Sequence, residues 1–370
     1  MLCVMYGVVW SGGEFVIGDE LDVKDPDADE VQVRVDKSGI CHSDLLVMAR
    51  EWDLPIVPGH EAAGVVVQVG AGVDSVRVGD SVAVGCQHPC GECRACRSSH
   101  YALCQTSMAV GDTPFSWRGQ PTRAMARVGS FASLITVHKD QVLPTVNLPA
   151  EEAALIGCAV STGYGNVRNV AEVVDGDTVV VIGVGGIGVN AIQTARLQGA
   201  ARVIAVDVNP LKEPVAQEYG AHEFVLAAPG ADVAGLAGLM RMRAGAPIDA
   251  VIECSGAVAA VEAGIQALGP GGRLALVGIP PEGTLASFDV TEMMMRQTSI
   301  RGALNGACDP FVDMPEIVRL AEAGQLALTS QVSRIWPLGE LEDAIRALEQ
   351  GEVVRAVLDL APAQTAPSQA

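Results

Sequence analysis

Two hydrophobic rhythms divide the chain. Through about residue 150, short β-branched runs (Val31–Val35, Gly64–Val69, Ser81–Val84 and Ser133–Val137) are broken by Gly, Pro and Asp. Runs of that kind, closed off by turn-forming residues, predict an irregular antiparallel β domain. The opening MLCVMYGVVW lacks a basic leader and runs into Gly12, Gly13 and Glu14, so it predicts a first strand and not a signal peptide. From about Ser161 the rhythm lengthens. Apolar segments at Thr178–Ile182, Arg202–Val206, Glu223–Leu226, Ile248–Ile252 and Arg273–Val277 alternate with helix-length stretches, and a sixth strand is predicted at Ser299–Ala303. Such alternation builds a parallel sheet covered by helices. Amphipathic helices follow at Pro315–Ala323 and near Leu341–Leu348, and Ala361–Ala370 has the composition of a disordered tail.

Composition refines this picture. A chain of 370 residues is expected to hold two domains with ample apolar burial. Aromatics make up only 4%, so the cores must be built from Ala, Val and other small aliphatics. The formal net charge of −20 repels phosphate backbones and anionic lipid surfaces, which predicts neither nucleic acid nor membrane as partner. No segment approaches the roughly 20 consecutive apolar residues needed to span a bilayer. Ten cysteines without a secretory leader point to a reducing compartment, the cytoplasm.

Four of those cysteines crowd one stretch: Cys90, Cys93, Cys96 and Cys104. A tetrahedral zinc needs four ligands converging from a short, folded-back loop, and Gly91 lets the backbone turn between the first thiols. Disulfides are the competing reading, but cysteines three apart pair poorly and the remaining six show no framework. A closed four-thiolate site is structural, so the chemistry must lie elsewhere.

A second motif marks the cofactor. Thr178–Ile182 is followed by Gly183-Val-Gly185-Gly186-Ile187-Gly188 and then a helical run to Gly199. The glycine pattern alone is weak; between a buried strand and a helix it has the context its mechanism requires. Gly183 permits the tight turn, Gly185 the approach of backbone amides to a pyrophosphate, and Gly188 close packing of helix on strand. Asp207 follows Gly188 by 19 residues at the end of the next strand, where a carboxylate accepts from both ribose hydroxyls. A 2′-phosphate there would meet that charge with no Arg or Lys at 208 or 209, so NAD is expected over NADP. Lys212 either reaches the adenosine ribose or is a solvated surface lysine.

Three separated residues remain: Cys41 in Gly-Ile-Cys-His-Ser-Asp, His60 in Pro-Gly-His-Glu and Cys158 in Gly-Cys-Ala-Val-Ser-Thr-Gly. Two thiolates and an imidazole with a vacant fourth position form a catalytic zinc arrangement, but spacing alone cannot assemble them. The Gly59–Glu61 motif, the four-cysteine lobe, the glycine loop with Asp207 and the late Val-Val-Arg355 occur in the order and spacing of one family. From about residue 5 to 360 the chain resembles the zinc-dependent medium-chain alcohol dehydrogenases.

That resemblance implies an α/β architecture, a GroES-like β-rich catalytic domain plus a doubly wound parallel-sheet Rossmann domain. Its boundaries are expected at 1–160, with the structural-zinc lobe at 86–108, then 161–304 for the NAD-binding domain, and a return to the catalytic domain at 305–360. It implies a catalytic zinc on Cys41, His60 and Cys158 with Glu61 beside it, a structural zinc on Cys90, Cys93, Cys96 and Cys104, and Asp44 orienting the His60 ring. Ser43 is placed to accept the alcohol proton, Thr162 near the nicotinamide, and His42 and Arg355 toward the pyrophosphate. The activity implied is hydride transfer between NAD and a small-molecule alcohol or aldehyde. A homodimer or homotetramer is expected, with edge strands pairing near Ser299–Ala303.

The sequence departs from the family pattern at two positions. The histidine that often completes the proton relay three residues beyond the serine is Leu46, which predicts a slower, more pH-dependent alcohol oxidation. Cys86 stands where relatives carry an aromatic in the substrate channel, which predicts a primary aromatic or medium-chain alcohol bulkier than ethanol. Two alternatives stay open. A thiol-dependent formaldehyde dehydrogenase would use the insertion resembling Ala109–Gly129, with Arg118, Arg123 and Arg127 meeting substrate carboxylates or solvent. A recruited reductase of specialised metabolism would not need the relay. Cys3, Cys254 and Cys308 read as core thiols, His88, His100, His138 and His222 as surface or satisfied histidines, and Met293–Met295 as core filling or subunit contact.

Overall fold

The computed structural model describes residues 5–48, 50–108, 112–228, 230 and 232–361. Cys3, the first three residues of the 109–129 insertion and all of the expected tail beyond Ala361 lie outside them. The chain divides into two compact units, one of Met1–Cys158, Pro310–Glu322 and Leu328–Ala370, the other of Ala159–Asp309 and Ala323–Ala327.

The first unit is organised around the long strand Glu30–Ile40. Its alternating apolar residues Val31, Val33 and Val35 are fully buried, as period-two patterning requires of a strand with one face on the core. Glu61–Val69 and Leu134–His138 pair with it antiparallel, and Arg355–Asp359 returns from the far end of the chain to pair with its last residues. The register sets Gly39 opposite Glu61 and Ala356 opposite Ile40, which brings Arg355 to the same end of the sheet. Not every pairing is antiparallel. Val332–Pro337 runs parallel to Arg355–Asp359, joined through the helix Leu341–Glu349, because parallel neighbours need a long crossover. The short pair Ile56–Val57 and Gln120–Ala124 is also parallel.

The second unit contains six parallel strands: β1 (Thr178–Ile182), β2 (Arg202–Asp207), β3 (Glu223–Leu226), β4 (Ile248–Glu253), β5 (Leu268–Leu276) and β6 (Ser299–Gly302). Their order, β3-β2-β1-β4-β5-β6, is that of a doubly wound Rossmann sheet. Val179, Val180 and Val181 are all fully buried, which explains why β1 reads as a continuous apolar run and not as an alternation. Helix α1 (Gly186–Leu197) follows β1 directly.

Besides β5, which starts at Leu268 and not at Arg273, three features differ from the sequence reading. The unit runs on to Asp309 and takes back Ala323–Ala327, where the Ala327 amide donates to the Gln193 side chain at 2.9 Å. The helix Ala159–Gly165 gives no amphipathic signal because all seven residues are buried. Met294 and Met295 are exposed, at 67% and 73%, and so do not fill a core.

Candidate active site

Cys41 ends the turn after Glu30–Ile40, and the short helix His42–Met48 begins beside it. Asp44, one turn in, is 3% exposed and makes two contacts that fix the site. Its Oδ2 accepts from the Cys41 backbone N–H at 2.8 Å, and its Oδ1 lies 3.0 Å from His60 Nδ1. A carboxylate on one ring nitrogen sets the orientation of the imidazole and leaves the other nitrogen for a ligand, as expected for Asp44. His60 lies just before the strand Glu61–Val69, after Gly59 at φ +85°, a backbone conformation that only glycine adopts without strain.

One donor atom from each of Cys41, His60, Glu61 and Cys158 lies within 4.8 Å of the others, and all four residues are buried. Packed this closely, the donors perturb one another's protonation. The Cys158 thiol bonds to Cys41, which holds Cys41 well below the usual thiol range, against its burial, and raises Cys158 well above it. Burial opposes charge on His60, yet the Asp44 carboxylate outweighs it and lifts the imidazole above its usual range. Burial lifts the Glu61 carboxyl to about 7 although Arg355 pulls it down. Glu61 Oε1 is buried with no hydrogen-bond partner, an orphaned acceptor facing this donor set. A divalent ion with two sulfurs and one nitrogen fits these residues.

Arg355 is 3% exposed and bonded to Glu61 Oε2. Gly39 makes room for that carboxylate, since a Cβ there would overlap Glu61 Oε2. His42 is exposed, Ser43 half-buried and Leu46 41% exposed on the same short helix. The Cys86 Sγ bonds to the carbonyls of His60 at 3.2 Å and Gly157 at 3.3 Å, both next to metal-site residues.

The four-cysteine lobe brings its sulfurs together in the same way, with one Sγ from each of Cys90, Cys93, Cys96 and Cys104 within 4.8 Å of the rest. None of the nine described cysteines is in a disulfide. Backbone amides of Cys90, Cys93 and Cys96 donate to the sulfurs of Cys104, Cys90 and Cys93 at 3.3–3.5 Å. Against burial, such donors hold the Cys104 thiol at about 6, whereas burial and the Cys93 thiol push Cys96 up to about 12. Four sulfurs this close carry four negative charges together only around a cation, which the donor set fits.

In the second unit, Gly183 has φ +92° and its carbonyl oxygen abuts Gly188, where any Cβ would overlap it. Gly185 has nothing within 4 Å of a built Cβ, so the backbone at the N-terminus of α1 faces open space suited to a diphosphate. Gly186 and Ile187 open that helix. Asp207 Oδ2 accepts from Val184 N–H at 2.7 Å and Oδ1 from Asn209 N–H at 2.9 Å, so the carboxylate also braces the glycine loop. Lys212 is 8% exposed, not a solvated surface lysine; burial lowers its pKa while Asp207 opposes that. Thr162 is buried in Ala159–Gly165 and its carbonyl accepts from Asn166 Nδ2 at 2.9 Å.

The insertion's arginines are taken by carboxylates of the chain itself. Arg118 Nε bonds to Glu20 at 2.6 Å, Arg123 binds Asp53 through two nitrogen–oxygen contacts at 3.0 Å, and Arg127 pairs with Asp112. Cys308 and Cys254 belong to neither donor set, and Cys308 is buried with its Sγ 3.2 Å from the Ser161 carbonyl. His222 Nδ1 accepts from the Val203 N–H at 2.9 Å.

Two family models match the chain, the alcohol dehydrogenase GroES-like domain over residues 27–149 and the zinc-binding dehydrogenase over 186–323. An NDMA-dependent alcohol dehydrogenase of Amycolatopsis methanolica is 33% identical over 365 residues, covering 95% of this chain and 97% of its own. An S-(hydroxymethyl)glutathione dehydrogenase of Escherichia coli is 33% identical over 357 residues, covering 92% and 95%. The crystal structure of benzyl alcohol dehydrogenase from Acinetobacter calcoaceticus superposes with a TM-score of 0.87 at 26% identity, covering 96% of this chain and 99% of that one. With likeness over nearly the whole length and both metal donor sets assembled, the chain belongs to the zinc-dependent medium-chain alcohol dehydrogenase family and is an oxidoreductase of that type.

Proposed function

We propose that this enzyme transfers hydride between NAD and a primary aromatic or medium-chain alcohol and its aldehyde. The observation that carries the proposal is the convergence of Cys41, His60 and Cys158 with Asp44 fixing the imidazole. Zinc held there supplies Lewis acidity toward the substrate oxygen and lowers the pKa of an alcohol. NAD supplies the hydride acceptor. Ser43, half-buried two residues beyond Cys41, takes the alcohol proton. With Leu46 in place of a relay histidine, the proton leaves through water or the exposed His42. Glu61 and Arg355 form a buried ion pair that sets the field behind the metal ligands. Arg355 and His42 are assigned to the pyrophosphate in this reading, and Thr162 to the nicotinamide.

Cofactor choice rests on Asp207. Replacing it with asparagine removes a carboxylate that accepts charge-assisted bonds, each worth about 1.5–3 kcal/mol. We expect the KM for NAD to rise about tenfold or more with kcat little changed, and the preference for NAD over NADP to shrink. Steady-state kinetics with both cofactors read this out, and an unaltered NAD/NADP ratio would remove Asp207 from the role.

The bulk of the substrate rests on Cys86, whose small thiol is tied back to two carbonyls. The benzyl alcohol dehydrogenase likeness supports an aromatic alcohol. The Escherichia coli relative favours the second reading, oxidation of a hydroxymethyl thiol adduct, but Arg118, Arg123 and Arg127 are already paired and would have to break those pairs to hold a substrate carboxylate. A screen of aromatic, medium-chain and short alcohols, with formaldehyde tested with and without added thiol, decides between them. Ethanol as best substrate, or thiol-dependent formaldehyde turnover as the fastest reaction, overturns the proposal. A homodimer through the β6 edge is part of the same reading, supported by the exposed Leu285, Phe288, Val290, Met294 and Met295. A reducing, cytoplasmic setting is supported by two thiol-rich donor sets.

A further inference from the structure

Glu253, the last residue of β4, is fully buried and takes no part in the chemistry assigned above. Its carboxylate meets three donors of the turn that follows. Oε1 accepts from the Ser255 N–H at 2.8 Å and from the Ser255 hydroxyl, and the Gly256 N–H lies 3.1 Å from each carboxylate oxygen. The Ser255 oxygen in turn accepts from the Ala257 N–H at 3.2 Å, at the residue before the helix Val258–Ala267. A buried carboxylate is costly unless donors meet it, and here the turn itself supplies them.

That turn stands where this sheet order places a ligand. β1 and β4 are neighbours, and the order of the strands reverses between them, the point at which open α/β sheets bind ligands beyond their C-terminal strand ends. The Cys254 N–H donates to the Ile182 carbonyl at 2.8 Å, and a Cβ at Gly183 would lie 3.1 Å from the Ser255 nitrogen. The turn therefore lies directly against the first residue of the glycine loop. On its other side, a Cβ at Gly278 would lie 2.0 Å from the Gly256 nitrogen, so the segment after β5 presses on it too. Gly256 has φ +73°, a conformation that glycine adopts without strain, and Ser255 is exposed. An exposed turn, wedged between two backbones, is thus anchored by one buried carboxylate.

We infer that Glu253 is a positioning residue for the dinucleotide, holding the Ser255–Gly256 turn in the shape that the crevice beside the glycine loop requires. The inference rests on the NAD reading above and adds a residue to it. Without the carboxylate, two backbone amides and a hydroxyl lose the acceptor that fixes the turn. The cofactor then binds only the fraction of chains whose turn is in place, and its apparent affinity falls by that fraction.

The test is calorimetric titration of the zinc-loaded enzyme with NADH, which gives the Kd and the number of sites separately. Glu253→Ala should raise the Kd about tenfold, the result of a turn in place about one-tenth of the time, with the number of sites per chain unchanged. A purely structural role does the reverse, leaving fewer sites with the wild-type Kd, and that result overturns the inference. Glu253→Gln keeps an oxygen for the Ser255 donors and should bind NADH more tightly than the alanine variant; equal weakening in the two overturns the anchoring by hydrogen bonds. Asp207→Asn is the control. Weaker binding there, with the Kd unchanged in Glu253→Ala, overturns the positioning role alone, whereas a wild type that does not bind NADH removes the NAD reading and this inference with it. Should the alanine variant misfold, Ser255→Ala serves, with a Kd about threefold higher expected, the scale of one hydrogen bond, and an unchanged Kd overturning the inference.

Discussion

His60→Ala should lower alcohol turnover by about 10³-fold or more, because the several kcal/mol of transition-state stabilisation that a Lewis acid contributes is lost with its ligand. The imidazole is 4% exposed and held by Asp44, so its free nitrogen has one fixed place in the donor set. Its removal also strands the Asp44 carboxylate, 3% exposed, beside an empty volume. Metal analysis should show one zinc fewer per chain with the four-cysteine site still filled, and kcat/KM measured at saturating NAD should fall with it. Asp44→Asn should act in the same direction but less severely, weakening zinc affinity about 10- to 100-fold by loosening the ring. A His60→Ala enzyme that keeps both its zinc and its activity would take the proposed reaction away from this cluster.

Arg355→Met should cost about 3–5 kcal/mol of stability, the usual consequence of leaving one partner of a buried ion pair alone. Glu61 is fully buried on the central strand pair, one of its oxygens already lacks a partner, and Arg355 supplies the bond to the other. The arginine is carried by a strand that enters the sheet from the opposite end of the chain, so the pair also ties residue 61 to residue 355. Urea midpoints with the m-value held in view measure the loss. Removing both charges, in Glu61→Gln/Arg355→Met, should recover much of it, since two neutral groups of similar volume avoid the unpaired charge. A single-variant loss below about 1 kcal/mol would mean that solvent or a rearranged side chain already compensates Glu61.

The sequence was most readable where the physics is local. β1 and β3 lie at the residues their apolar runs predict, and β2 and β4 extend theirs by one residue. Parallel strands buried on both faces must be apolar throughout, and the glycine loop must follow the first of them directly. The four-cysteine lobe was legible for a similar reason, since fifteen residues hold every ligand. Legibility failed where a residue's environment is made by distant chain. His88 and His138 have no motif around them; fifty residues apart, they meet only because the sheet folds one loop onto another. Lys212 reads from sequence as either a ribose-reaching or a solvated lysine, and it is buried. Arg118, Arg123 and Arg127 read from sequence as meeting substrate carboxylates or solvent, and instead meet Glu20, Asp53 and Asp112.

By itself the sequence determined the parallel nucleotide-binding sheet and the closed thiolate lobe, because periodicity and short-range spacing encode both, whereas Cys41, His60 and Cys158 were picked out by the resemblance to a family. Only the tertiary structure decided that Cys41, His60, Glu61 and Cys158 share one buried volume, that Asp44 fixes the imidazole and that Arg355 neutralises Glu61. Those contacts span separations of up to 294 residues. A one-dimensional pattern carries no signal for such pairs, since their chemistry arises when strand register, not spacing along the chain, sets which charges are neighbours and which lose their water.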